Sequence, residues 1–255
     1  MSAAADSFWS ALPLGPGVEV LNWDANGVGA LSKPAGVLSH PNQTADQPRS
    51  LLTSHYDAVA ECYQWKKAES GEVRRLWLLN RLDSATSGVI LVVREEILAG
   101  EIRAQFRKKQ VAKIYAALVF GRPPKPVELW RDLVAVQKKG GRIRTAADAG
   151  RVPAESQMRV IKAHGTGSGA MALLQLEPRT GRSHQLRVQC AKRHLPIVGD
   201  QTYGDFARNR EFARRAGDKR MFLHSLETRF QYEWKGSAVK FAARAELPAA
   251  FRDAF

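Results

Sequence analysis

The apolar residues of this chain recur with two periods, and the switches between them mark out its elements. Residues 18–23 and 28–32 read as two short strands around Asp24-Ala25-Asn26-Gly27, a run of turn-forming residues. Over 49–63, Leu51, Leu52, Tyr56, Val59 and Cys62 recur at near-helical spacing and predict a helix. Residues 76–79 are an apolar run, and 88–93 (GVILVV) are apolar and β-branched almost throughout, as a central strand requires. Residues 95–109 predict a helix, acidic early and basic late as a helix dipole favours. A strand follows over 111–119. Residues 122–152, rich in Pro, Gly, Lys and Arg, predict short strands and exposed basic loops. A strand pair over 157–163 and 170–176 brackets the glycine-rich turn 165–169, and 183–193 predict a helix after Thr180-Gly181. Residues 199–204 form a tight loop, and 206–219 a charged segment with a small helix or a flexible stretch. The closing strands are 221–232 and 237–242. Residues 1–17, with Pro13, Gly15 and Pro16, read as a flexible leader. Strands mixed irregularly with helices, without repeat or linker, predict one α+β domain over 18–255 rather than a doubly wound parallel sheet.

Composition changes the picture in one respect. A hydrophobic share of 44% with 25% charged residues describes an ordinary globular chain. The balance of charge is not ordinary: 39 Lys and Arg face 25 Asp and Glu, a net charge of +14. Such an excess suits a polyanion, because each neutralised phosphate releases counterions. No long basic amphipathic helix speaks for a membrane surface instead. No apolar run reaches the length of about 18 residues that a membrane span needs. No basic segment followed by an apolar run marks a secretory signal. Cys62 and Cys190 are isolated and lack a CxxC partner, which predicts reduced thiols, no zinc site and a cytoplasmic protein.

Three segments carry chemistry. Residues 80–88 (NRLDSATSG) place Asp83 just past an apolar strand, with small hydroxyl residues and a glycine behind it. Such a carboxylate can attack an electrophilic carbon, or it can merely cap a turn. Residues 113–115 (KIY) put Lys113 and Tyr115 on one face of a strand. That tyrosine can stack on a base and handle a proton, or simply pack half-buried. Residues 179–187 (RTGRSHQLR) set three arginines around a turn and a helix start, where phosphate is attracted. His184 and Arg187 share a helical face there. Three further constrained pieces, SKPAG with SHP, PIVGDQTYG and FLHS, read as structural when taken alone.

Taken in order, these segments resemble the RluA-type RNA pseudouridine synthases. That family carries HRLD-x-x-TSG, K-x-Y, TGR-T/S-HQ-I/L-R, P-I-x-GD-x-x-YG and a late LH in the same succession, and the likeness extends over about residues 18–243. The resemblance implies the pseudouridine-synthase catalytic domain, a mixed, bent β-sheet flanked by helices and loops, and a cofactor-free, metal-free isomerisation of uridine in ribosomal or transfer RNA. It implies Asp83 as catalytic carboxylate, Tyr115 against the uracil ring and Arg187 as the basic partner of Asp83. Arg81 would enter the RNA stack as the target uridine leaves, Leu223 would line the uracil pocket, and Lys113, Arg182 and His184 would contact substrate. Asn80 stands where the family has His, which bears on a local hydrogen bond. The family's small N-terminal S4-type RNA-binding domain is not expected ahead of residue 18. The chain is expected to act as a monomer on RNA, without an obligate protein partner. The alternatives are a catalytically inactive RNA-binding module of the same fold, or a glycoside hydrolase needing a second acid near Asp83.

Overall fold

A computed structural model describes residues 3–139, 142–146 and 152–254. In chain order the elements are α1 (Ala3–Ser10), β1 (Glu19–Trp23), β2 (Val28–Lys33), β3 (His55–Asp57), β4 (Cys62–Lys66), β5 (Val73–Leu78), β6 (Ser87–Val93), α2 (Glu96–Arg107), β7 (Ala112–Phe120), β8 (Val127–Lys139), β9 (Arg142–Ala146), β10 (Val152–His164), β11 (Met171–Pro178), α3 (Gln185–Lys192), α4 (Phe206–Ala216), β12 (Leu223–Trp234), β13 (Ser237–Arg244) and α5 (Ala249–Asp253). The class is the expected α+β. The chain divides into two compact units where one was expected: Met1–Val111 with Glu227–Ala245, and Ala112–Leu226 with Glu246–Phe255. Among the described residues no helix is long and apolar enough to cross a membrane.

The first unit is built on β6, whose seven residues are all buried. β2 pairs antiparallel along it from Val28↔Val93 to Lys33↔Gly88, and β5 meets it at Trp77↔Val93 and Leu78↔Val92. The β1–β2 turn closes as its composition predicts: the Asp24 carboxylate accepts from the Asn26 and Val28 N–H groups, both at 3.0 Å. β12 and β13 join through Lys235 and Gly236, both at positive φ, the geometry a two-residue hairpin needs to match strand twist. α2 buries Leu98, Ala99 and Ile102 against a core that includes Val89, Leu91, Phe230 and Phe241.

Two expectations fail in this unit. Residues 49–63 are not helical: a 3₁₀ turn, Thr44–Arg49, is followed by β3 and β4, which pair at Tyr56↔Tyr63. Leu51 and Leu52 are buried at consecutive positions just ahead of β3, and Leu51 N–H donates to the Leu38 carbonyl at 2.8 Å. Tertiary pairing decides the conformation there, and the near-helical spacing is an accident of a short strand pair and the turn before it. Nor is the leader loose. α1 buries Phe8 and Trp9, and a side chain at Gly29 would run into the Trp9 ring.

In the second unit the strand order is β7-β11-β10-β8-β9. β10 pairs β11 from Ser156↔Pro178 to His164↔Met171, and β11 pairs β7 from Met171↔Phe120 to Leu176↔Tyr115. The stretch 122–152 holds a long strand, β8, of 13 residues as well as the short β9; residues 140–141 and 147–151, where loops were expected, lie outside the described residues. Phe120, Phe212, Phe222 and Phe251 pack as a core with Met171 and Val198. Cys62 and Cys190 are buried free thiols, one in each unit, and burial raises the pKa of both.

Candidate active site

The segment carrying Asp83 is tied down from both sides. Ser39, buried, donates its hydroxyl to the Leu82 carbonyl at 2.7 Å and accepts from the Leu82 N–H at 3.0 Å. The Tyr63 hydroxyl in turn donates to the Ser39 carbonyl at 2.9 Å. On the other side of Asp83, the Ser84 carbonyl accepts from Lys33 Nζ at 3.0 Å and from Gly36 N–H at 2.8 Å. Lys33 is fully buried, and its ammonium also donates to the Val37 and Pro34 carbonyls at 2.7 and 3.0 Å. A charge can be buried here because the turn of SKPAG supplies backbone acceptors around it. Thr86 N–H closes the turn onto the Asp83 carbonyl at 3.0 Å. The result is a rigid loop with Asp83 half-buried and Arg81 exposed. Asn80 accepts from the Leu91 N–H at 2.7 Å, a local bond that fastens the loop's start to β6.

The remaining sequence-predicted residues lie in the second unit, which gathers four of the motifs. The β7 strand, PIVGD and FLHS are stitched by backbone bonds: Val198 N–H to the Leu118 carbonyl at 2.9 Å, Leu118 N–H to the Phe222 carbonyl at 3.0 Å, and Phe222 N–H to the Val198 carbonyl at 2.9 Å. This places Leu223, buried, at the start of β12 beside Phe222. Tyr115 is half-buried on β7 opposite Leu176. Lys113 is half-buried, with its Nζ beside Gly181, 3.6 Å from where a side chain there would begin. Burial alone pulls the Lys113 ammonium below the usual lysine range. No hydrogen bond or ion pair to it exists among the described residues.

Arg187, on the buried face of α3, is gripped by Asp200: Nε donates to Oδ2 at 2.7 Å and Nη2 to Oδ1 at 2.8 Å. Asp200 Oδ1 also accepts from the Thr202 and Tyr203 N–H groups at 2.8 and 3.0 Å. Burial pushes the Asp200 carboxyl up, but the Arg187 hydrogen bonds and charge and those two N–H groups outweigh it and hold it below the usual carboxylate range. The Tyr203 ring lies 5.1 Å from the Arg187 guanidinium, and its hydroxyl is 3.0 Å from His184 Nδ1. His184 takes a left-handed backbone, φ 54°, at the start of α3, a strained conformation held by its neighbours. Arg182 is exposed, its Nε reaching the Pro153 carbonyl at 3.4 Å.

A buried polar chain supports this turn. Gln185 accepts from the Thr180 hydroxyl at 2.7 Å and donates to Ser156 Oγ at 2.9 Å. Ser156 donates to Gln189 Oε1 at 2.7 Å, and Gln189 donates to Asp132 at 2.9 Å. Asp132 is neutralised by Arg193 at 2.8 Å and Lys192 at 3.3 Å. Sequence reasoning gave no role to Ser39, Asp200, Ser156 or Gln189. Ser39 and Asp200 did stand inside quoted motifs, SHP and PIVGD, and that was the available signal; Ser156 and Gln189 carried none.

Comparison with known proteins gives concordant matches. Residues 28–192 match the family RNA pseudouridylate synthase. The tRNA pseudouridine synthase C of Vibrio cholerae is 31% identical over 216 residues, which cover 80% of this chain and 82% of that protein. The dual-specificity RNA pseudouridine synthase RluA of Escherichia coli O6:H1 is 31% identical over 239 residues, 92% of this chain and 96% of that one. Human RNA pseudouridylate synthase domain containing 4 shares the fold with a TM-score of 0.66 at 21% identity, covering 98% of this chain and 95% of its own.

Proposed function

The chain belongs to the RNA pseudouridylate synthase family, and from that premise we propose that it converts specific uridines of transfer or ribosomal RNA to pseudouridine with Asp83 as its catalytic carboxylate. The enzyme class, an isomerase forming pseudouridine, follows from the family itself. The reaction breaks the N1–C1′ bond, turns the uracil and forms a C5–C1′ bond; the proton lost from C5 is matched by one gained at N1, so the product is an isomer of uridine. Asp83 acts either by attacking C1′ or by taking the C2′ proton, and both routes need a carboxylate held still at a partly exposed position. The observation that carries the assignment is the bracing of Asp83 between Leu82, pinned twice by Ser39, and Ser84, pinned by Lys33 and Gly36.

The other roles follow the motifs. Arg81, exposed two residues before Asp83, fills the gap left by the flipped nucleotide; a guanidinium is planar and stacks where a base has been. Tyr115 lies against the uracil and Leu223 lines its pocket. Lys113, a desolvated amine, meets an anionic or carbonyl group of the substrate. Asp200 accepts from Arg187 through two N–H donors and so holds the residue that we assign as the basic partner of Asp83. Arg182 and His184 bind flanking phosphate. The enzyme works in the cytoplasm as a monomer and calls on no cofactor or metal. The Asp83→Asn protein should fold and bind RNA, yet form no pseudouridine. Turnover by it within roughly tenfold of wild type would sink the assignment. Pseudouridine mapping across all RNAs of a deletion strain would identify the target.

A further inference from the structure

α4 has two faces with different duties. Its inner face sends Phe212 into the aromatic core and Arg208 over the Phe120 ring at 4.1 Å, with Arg208 Nη2 donating to the Ala170 carbonyl at 3.1 Å. Asn209 on that face brackets the neighbouring loop, accepting from the Gly199 N–H at 2.8 Å and donating to the Asp200 carbonyl at 3.0 Å. The outer face carries Phe206, Arg210 and Arg214, spaced by four and so in one row. All three are exposed, Phe206 at 52%. With Gln201 and Lys219 this row lines a cleft of about 930 Å³.

The chemistry of the cleft is one-sided. Among the described residues Arg210, Arg214 and Lys219 make no ion pair or hydrogen bond. The acid in the lining, Asp218, already accepts from the Arg220 N–H at 2.7 Å. At the head of the arginine row the exposed Phe206 ring sets an aromatic face beside the cations. A ring beside unneutralised cations is the combination that takes up single-stranded nucleic acid, by stacking a base and following its phosphates.

We propose that this cleft binds a single-stranded RNA segment flanking the target uridine, with one base on Phe206 and phosphates along Arg210, Arg214 and Lys219. The inference rests on the reading that RNA is the substrate. The cleft wall includes Gly199, next to Asp200, whose side chain grips Arg187, so the strand and the motif loop meet at consecutive residues. Phe206 and the two arginines belong to no part of the proposed reaction machinery.

The test compares binding of a short oligouridylate with binding of an RNA hairpin that has no single-stranded ends, across a salt series. Phe206→Ala should weaken the oligouridylate by roughly tenfold, as the loss of one stacked base requires, and leave the hairpin within about twofold. Arg210→Glu combined with Arg214→Glu should reduce the slope of log affinity against log salt by about 1.4 on the oligouridylate. Unchanged oligouridylate affinity and slope in both variants would overturn the proposal, and so would equal losses on both RNAs. Polyglutamate serves as the competing ligand: a double variant that loses polyglutamate but keeps oligouridylate would assign the cleft to an acidic protein and also overturn it. Wild type that forms no pseudouridine in any RNA would remove the functional reading while leaving these binding comparisons decisive.

Discussion

Replacing Asp200 by Asn keeps the side chain's shape and the acceptor for the Thr202 and Tyr203 N–H groups but removes the charge opposite Arg187. The arginine side chain is only 8% exposed and the carboxylate 1%, so the guanidinium would stay buried without the charge that Asp200 supplies. Breaking a buried pair from one side costs about 3–5 kcal/mol. With two turn hydrogen bonds surviving, a loss of about 3 kcal/mol is expected, a large share of the roughly 5–15 kcal/mol that holds a typical domain together. Trp130 is the only tryptophan of the second unit, so urea unfolding followed as the fluorescence difference between proteins with and without Trp130→Phe reads this unit. Arg187→Met should cost a similar amount, and the double variant should cost about 2 kcal/mol less than the sum of the two. The acid limb supplies a second reading. The folded Asp200 carboxyl titrates below its unfolded value, so its stabilisation is present above the unfolded pKa and is lost as pH falls through the folded one. Asp200→Asn should flatten stability against pH in that acid window. Single-variant losses that add to within about 0.5 kcal/mol would refute the coupling, and an unchanged acid limb would refute the electrostatic account.

Ser39→Ala removes both partners of the Leu82 backbone and should cost about 2 kcal/mol, with kcat falling more than KM rises; wild-type single-turnover rates at saturating RNA would show that the brace does not set Asp83. Arg81→Ala should slow modification of a structured stem-loop strongly and of an already unstacked uridine much less; equal losses on both would assign Arg81 to bond making instead. RNA affinity should fall by roughly 10³ or more between about 50 and 200 mM salt if several phosphates are contacted, less steeply on single strands, and salt-independent affinity would mean the +14 charge does not follow the RNA.

What the sequence made legible was whatever depends on local pattern. β6 announced itself because a strand buried on both faces is apolar throughout, and α2 because its charges follow the dipole and its apolar residues the helical period. Residues 49–63 misled because β3 and β4 owe their form to each other and to β5, and a pairing between strands leaves no periodic trace in so short a run. The helix α1 was hidden for the same reason: Trp9 matters only once Gly29 has been brought beneath it. At the candidate site the motif order named the residues proposed to meet RNA, but not what holds them. Ser39 is 43 positions from Leu82 and Asp200 is 13 from Arg187, and neither relation can be read before the chain has folded.

The interleaving of the two units has a consequence for how the protein can be made and cut. The first unit takes Glu227–Ala245 only after the whole of Ala112–Leu226 has been laid down, and the second takes Glu246–Phe255 after that. A nascent chain that stops before residue 227 lacks Phe230, Tyr232 and Phe241 from one core, and one that stops before 246 lacks Phe251 from the other. The first unit therefore cannot close until most of the second has been made, and the second closes last, so apolar surface stays uncovered until both closing segments are translated. Fragments expressed by splitting the gene at residue 111 should therefore fail to fold, since the first would lack Glu227–Ala245, and this follows from chain order rather than from any single contact.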